Sequence, residues 1–328
     1  MRRRDLIAGI GASVLARPHA TWAQQASTMP LVGFVTTNTR DGNPHAFAAF
    51  RQGLEANGFV AGKNVTVEYR WAEGHLERLP TMVMDLIRRN VSVIVAGGGD
   101  VPALVAKGAT ATIPIVFLTA ADPVRSGLVA SLARPDRNAT GATLLGGALG
   151  GKRLELMNEF VPKSSLIGVL ANENNPNSAP ETNEIAAAAR SLGHKVQVLQ
   201  ANDVQGIERA FTTLAEIGAA GLLLNPDPNF MINRAKIIAL AERFNRPVVY
   251  YSREYPASGG LLSYGADFNW LYRQGGEYVA RILKGAAPAE LPVVQPTHFD
   301  LVVNLKAAKS LGVTLPSSIL VRANEVIE

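Results

Sequence analysis

From Leu31 onward the apolar positions come in short uncharged runs, separated by stretches with helical spacing. Residues 31–35 (LVGFV) form the first run, and 44–57 then places Phe47, Phe50 and Leu54 on one helical face. Residues 65–69 (VTVEY) alternate Val65, Val67 and Tyr69 with Thr66 and Glu68. A helix over 77–89 leads into 91–99 (VSVIVAGGG), and another after Asp100 leads into 113–118 (IPIVFL). The pattern restarts after Thr143. A helix over 154–160, a strand at 165–172 (SLIGVLAN) and an Ala-rich helix over 181–192 are followed by a strand at 196–199, a helix over 204–217, a strand at 221–225, a helix over 229–244 and a strand at 247–251. Apolar strands alternating with amphipathic helices predict parallel sheets covered on both faces. The α/β chain therefore reads as two doubly wound, Rossmann-like lobes. Residues 138–151, rich in Gly, Ala and Thr and without charge between Asn138 and Lys152, read as a flexible joint between them. The tail breaks the pattern. One long helix over 267–283, strands at 291–294 and 298–304 and a short helix over 305–311 predict a chain that crosses between the lobes again.

A length of 328 residues fits two domains, and 47% hydrophobic with 18% charged residues is a globular composition. The formal charge of +5 is concentrated at the amino terminus. Arg2, Arg3, Arg4 and Arg17 stand there against Asp5, and the remaining 28 basic and 26 acidic residues leave +2. No dense basic patch interleaved with aromatics follows, so nucleic acid is not an expected partner. The three arginines, the apolar run 6–16 (LIAGIGASVLA) and Thr21-Trp22-Ala23 have the layout of a secretory signal peptide cleaved after Ala23. The Arg3-Arg4 pair resembles a twin-arginine signal, and an Arg-rich general secretory leader accounts for the same residues. The run is too short to span a bilayer. With no cysteine, thiolate metal sites, a thiol nucleophile and a lipidated cysteine are excluded.

In open α/β sheets, ligands bind beyond the carboxyl ends of the strands. The tips of the first half read Thr36-Thr37-Asn38, Gly97-Gly98-Gly99-Asp100 and Thr119-Ala120-Ala121-Asp122-Pro123. Those of the second read Asn172-Glu173-Asn174-Asn175, Asn225-Pro226-Asp227 and Tyr250-Tyr251-Ser252-Arg253-Glu254. Small residues let backbone N–H groups reach a carboxylate, Asp and Glu can meet an ammonium, and Tyr supplies an apolar wall with a polar tip. The same residue types cap helices and shape turns, which for any single one is the ordinary explanation. The functional reading rests on two facing sets.

Other chemistries find little support. In GGALGGKR (146–153) the glycines and Lys152 have phosphate-loop spacing, but Arg153 stands where Ser or Thr must hold Mg²⁺. The five histidines are scattered, without a zinc-binding pair, and no Gly-x-Ser-x-Gly elbow occurs. The chain is expected not to be an enzyme and to need no cofactor or metal.

The segment 253–265, with Arg253-Glu254-Tyr255 and GGLLSYG, resembles the ABC-transporter substrate-binding family that includes tryptophan- and other aromatic amino acid-binding proteins. So do YVARILKG (278–285), Pro288, QPTHFDLVVNLKAAKSLG (295–312), the closing residues 316–327 and a leader ending in Ala23-Gln24-Gln25; the resemblance runs from about Pro30 to the carboxyl terminus. It implies a type I periplasmic binding protein whose two lobes are joined by three crossovers, with a small ligand enclosed between them. One lobe would comprise 29–143 plus about 266–290, the other 144–265 plus about 291–328. Carried over by position, the ligand-binding residues are Thr36, Thr37, Gly98, Thr119 and Asp122 from the first lobe, Asn172, Asp227, Tyr250, Ser252 and Glu254 from the second, and Asp267 near the last crossover. Tyr250 and Tyr251 would favour an aromatic or apolar amino acid. The implied protein is a periplasmic monomer that delivers its ligand to an inner-membrane ABC permease and its ATPase. The alternative is a periplasmic ligand-sensing module for a membrane receptor, which neighbouring permease genes would argue against.

Overall fold

The computed structural model describes residues 29–135, 137–144 and 149–328. The expected leader at 1–23 and part of the expected Gly-rich joint, 145–148, lie outside the described residues. The first sheet holds β1 (Leu31–Thr36), β2 (Thr66–Trp71), β3 (Val93–Gly97), β4 (Ile115–Thr119) and β5 (Ala139–Thr143) in the order β2-β1-β3-β4-β5, all parallel. Strand side chains alternate between faces. Val32, Phe34, Val93, Val95, Val116 and Leu118 pack one way, against α1 (Pro44–Glu55) and α10 (Phe268–Leu283). Val35, Ile94, Ala96, Ile115 and Phe117 pack the other way, against α2 (Leu79–Arg88) and α3 (Asp100–Ala109).

The second sheet contains β6 (Leu166–Ala171), β7 (Lys195–Gln200), β8 (Gly221–Leu224), β9 (Val248–Tyr250), β10 (Leu262–Gly265), β11 (Asp300–Asn304) and β12 (Glu325–Ile327), in the order β12-β11-β10-β9-β8-β6-β7. Its pairs are parallel except β10 with β11. On one face lie α6 (Val204–Glu216) and α8 (Arg234–Arg243). On the other lie α4 (Gly150–Asn158), α5 (Ser178–Leu192), α11 (Leu305–Ser310) and α12 (Ser317–Arg322). Two short helices, α7 (Pro228–Ile232) and α9 (Glu254–Ala257), follow the tips of β8 and β9. The chain passes between the sheets three times, between β5 and α4, at 266–267 and at 295–299.

Three elements differ from the sequence expectations. Much of the predicted joint is ordered: Ala139–Thr143 is a buried edge strand of the first sheet. Its polar positions survive burial because they are paired, Thr140 Oγ1 donating to Leu291 O at 2.6 Å and Thr143 Oγ1 to Ala121 O at 2.5 Å. Residues 291–294 are not a strand of the second lobe. Val294 exchanges backbone hydrogen bonds with Gly141 and Thr143, and Leu291 joins the core under α1 and α10. The helix expected over 229–244 breaks at Asn233, whose side-chain amide turns back to Asn229 O at 2.9 Å and ends α7.

Helix α10 is tied to the first lobe by backbone contact. A Cβ on Gly276 would press on the Phe50 carbonyl and lie 2.8 Å from Leu54 N, and a Cβ on Gly53 would lie 3.0 Å from the Arg273 carbonyl carbon. Only glycine lets α1 and α10 approach this closely. The first turn of α10 is thereby held at the gap between the lobes.

Candidate functional site

The strand tips of the two sheets face each other across a cavity of about 210 Å³. On the first lobe, Thr37 Oγ1 donates to Gly98 O at 2.6 Å, and Gly98 and Gly99 have φ of 78° and 109°. These left-handed positions turn the chain sharply, so that the amino terminus of α3 opens on the cleft. Asp100, in that first turn, accepts hydrogen bonds from Thr119 Oγ1 and, across the cleft, from Asn177 Nδ2 at 3.0 Å. On the second lobe, Asp227 accepts from Asn172 Nδ2 at 3.1 Å, Asn175 Nδ2 at 2.9 Å and the backbone N–H of Asn229 at 2.8 Å. Burial still outweighs these bonds and pushes its carboxyl above the usual range. Tyr251 Oη donates to Asp227 O at 3.0 Å and turns its ring to the cleft, beside Phe268, Leu271 and Tyr272 from α10.

Beneath the second-lobe surface is Glu181, in the first turn of α5, 5% exposed. Burial raises its carboxyl to about 7 against the opposing charge of Arg153, with the carboxylates of Glu184 and Asp227 pushing the same way as burial. Arg153, 1% exposed, lies below the floor beside Tyr251 and Phe268, and burial lowers its guanidinium from the ordinary value. The residue that disqualified 146–153 as a phosphate loop is thus a buried cation behind the cleft. Among the described residues no Lys, Arg or His lines the cavity, and no group of three His, Asp or Glu could hold a metal. Besides the Asn177–Asp100 bond, Arg234 Nη1 donates to Gly42 O at 3.0 Å and Arg125 lies 3.7 Å from Glu184; all three tie one lobe to the other, so the cleft is shut.

Of the residues named from the sequence, Thr37, Gly98, Thr119, Asn172 and Asp227 line this cavity. The others do not. Thr36 is wholly buried at the end of β1, its Oγ1 accepting from Asn38 N. Asp122 caps a turn through the N–H groups of Val124 and Arg125. Tyr250 ends β9 buried in the second-lobe core, stacked on Tyr255 at 4.5 Å, while Tyr251, just past the strand, packs edge-on against the same Tyr255 at 5.4 Å and reaches the cleft. Ser252 is buried and donates to Glu254. Glu254 and Asp267 line a separate groove with Arg234, Arg253 and Arg273, and Asp267 also caps α10 through Asn269 N at 2.8 Å. Sequence reasoning missed Asn177, Glu181 and the α10 residues as cleft groups. The signal was there in part: Phe268, Leu271 and Tyr272 sit in the first turns of a helix starting directly at a crossover.

The model of the family described as ABC transporter substrate binding protein matches residues 32–327. The chain belongs to this family. It is 25% identical over 263 residues to a tyrosine-binding protein of Clostridioides difficile, covering 80% of this chain and 75% of that one. The structure of a conserved domain protein from Vibrio cholerae superposes with a TM-score of 0.85 at 28% identity, over 91% of this chain and all of the other. A domain from Streptococcus pneumonia in complex with L-Trp superposes with a TM-score of 0.84 at 23% identity, over 92% of this chain and all of that one. The fold of this substrate-binding protein is the two-lobed type I periplasmic binding fold, and its cleft lies between the strand tips of the two lobes. Among the described residues no helix is long and apolar enough to cross a membrane.

Proposed function

We propose that this protein captures an aromatic or apolar amino acid between its two lobes in the periplasm and hands it to the permease of an ABC importer. The observation that carries this reading is the cleft itself, which sets an aromatic wall (Tyr251, Phe268, Tyr272) opposite hydrogen-bonding groups and buried carboxylates, in a space suited to one small molecule. The backbone N–H groups at Gly98 and at the open amino terminus of α3 suit a ligand carboxylate, with the turn held by the Thr37 hydroxyl on Gly98 O. Relatives that bind tyrosine and tryptophan support the same class. In this reading residues 29–143 and 266–294 form one lobe and 149–265 and 300–328 the other. Ligand docks on one open surface and hinge rotation at the three crossovers closes the second over it, favoured by the ligand's higher affinity for the closed state. No catalytic step, metal or cofactor is part of the reading. The leader at 1–23 supports export, with a mature chain beginning at Gln24.

Calorimetry of the mature chain with the twenty amino acids tests the ligand class. We expect L-tryptophan, L-tyrosine or a large apolar amino acid to bind most tightly. Binding of none of the twenty, alongside tight binding of a sugar or purine, would refute it.

A further inference from the structure

The three carboxylates of the cleft are not equivalent. Asp100 is engaged by Thr119 and Asn177, and Asp227 by Asn172, Asn175 and the N–H groups of Asn229 and Phe230. The oxygen Oε2 of Glu181 is buried without a hydrogen-bond partner, on a side chain that lines the cavity. An acceptor buried and left unpaired costs about 1–3 kcal/mol, more when it is charged. Arg153 opposes its charge from below the floor without a hydrogen bond to Oε2, and among the described residues no cationic side chain lines the cavity, so a cationic donor on the ligand would supply what the cleft lacks.

Resting on the amino acid reading above, we infer that Glu181 is the specificity-determining acceptor of the ligand's primary ammonium group. Asp100 and Asp227 then act as frames that hold the two rims, while Glu181 separates ligands bearing an ammonium from isosteres that lack it. The charged groups that face Glu181 are Arg153 of α4, Glu184 of α5, Asp227 at the start of α7 and Arg125 of the first lobe. Ammonium binding selects the ionised carboxylate. Burial pushes this carboxyl up to about 7, so taking up an ammonium below that pH favours release of its proton.

The test is calorimetry with L-tryptophan, L-tyrosine and their deaminated analogues, 3-(indol-3-yl)propionate and 3-(4-hydroxyphenyl)propionate, on the wild-type chain and on Glu181→Gln. The wild type is expected to prefer the amino acid by about 100-fold or more, and the variant to lose most of that preference, as sites built around one polar group do. Equal preference in a folded variant overturns the inference and leaves the amino acid reading standing. A wild type that binds no amino acid removes both. Should the variant fail to fold, the wild type and Glu181→Asp decide: the preference for the amino acid over its deaminated analogue should be present in the wild type and fall with the shortened side chain. No preference in the wild type overturns the assignment.

Discussion

Replacing Gly276 by alanine should destabilise the protein, although alanine is the better helix former. In the interior of a helix, Gly→Ala gains about 1 kcal/mol from propensity. At Gly276 the added methyl meets backbone: the Phe50 carbonyl, Leu54 N at 2.8 Å and the Gly53 carbonyl carbon at 3.0 Å. Ordinary contacts begin near 3.4 Å, and no rotamer change can move a peptide group aside. Overpacking of this kind costs about 1–3 kcal/mol, and backbone obstruction puts it at the upper end. The net expectation is a loss of about 2 kcal/mol, or about 4–8 °C in Tm for lobes of this size. Gly108, exposed near the end of α3 with nothing within 4 Å of its virtual Cβ, is the control, and Gly108→Ala should stabilise by up to about 1 kcal/mol. Thermal and urea unfolding of the ligand-free chain measure both variants. Shifts of the same sign would refute the account of α1–α10 packing. Because α10 carries Phe268, Leu271 and Tyr272 to the cleft, Gly276→Ala should also weaken ligand binding.

Two further predictions concern the cleft. The folded state holds the Glu181 proton up to about 7, well above the ordinary carboxylate value of 4.5, so the folded state binds more protons than the unfolded one across this interval. Stability of the ligand-free protein should therefore fall as pH rises from 4.5 to 7, by at most about 3 kcal/mol from this group. Urea titrations of wild type and Glu181→Gln at pH 5 and 7.5 check it; parallel changes in both proteins would contradict the assignment. Tyr251→Phe removes the bond to Asp227 O and should lower amino acid affinity about fivefold, whereas Tyr250→Phe, within the core stack, should leave affinity unchanged.

How much of this the sequence revealed depended on whether a residue's role was local. The runs at 31–35 and 165–172 became β1 and β6 because uninterrupted apolar strands need cover on both faces, and the alternating helices supply it. β5 stayed hidden because ATGAT has neither bulk nor β-branched alternation. It is a strand through long-range partners, Thr140 with Leu291 and the backbone of 141–143 with Val294. At the cleft, strand tips were legible as segments. The choice of Tyr251 over Tyr250 needed the point at which β9 ends, which a five-residue apolar run leaves open. Glu181 lies nine positions past Asn172, and a first-turn glutamate is ordinarily explained by the helix dipole; its burial over Arg153 is a tertiary fact.

Phe268 packs against the cores of both lobes, within 6.4 Å of the Tyr251 ring on one side and beside Leu271 and Tyr272 on the other. Since the rest of α10 is fixed to α1, parting the lobes must drag this ring away from the second core and wet it. Uncovering some 40 Å² of aromatic surface costs about 1 kcal/mol, whatever solute is or is not inside. This one contact therefore favours the shut arrangement with or without a solute, in proportion to the apolar surface of a single side chain.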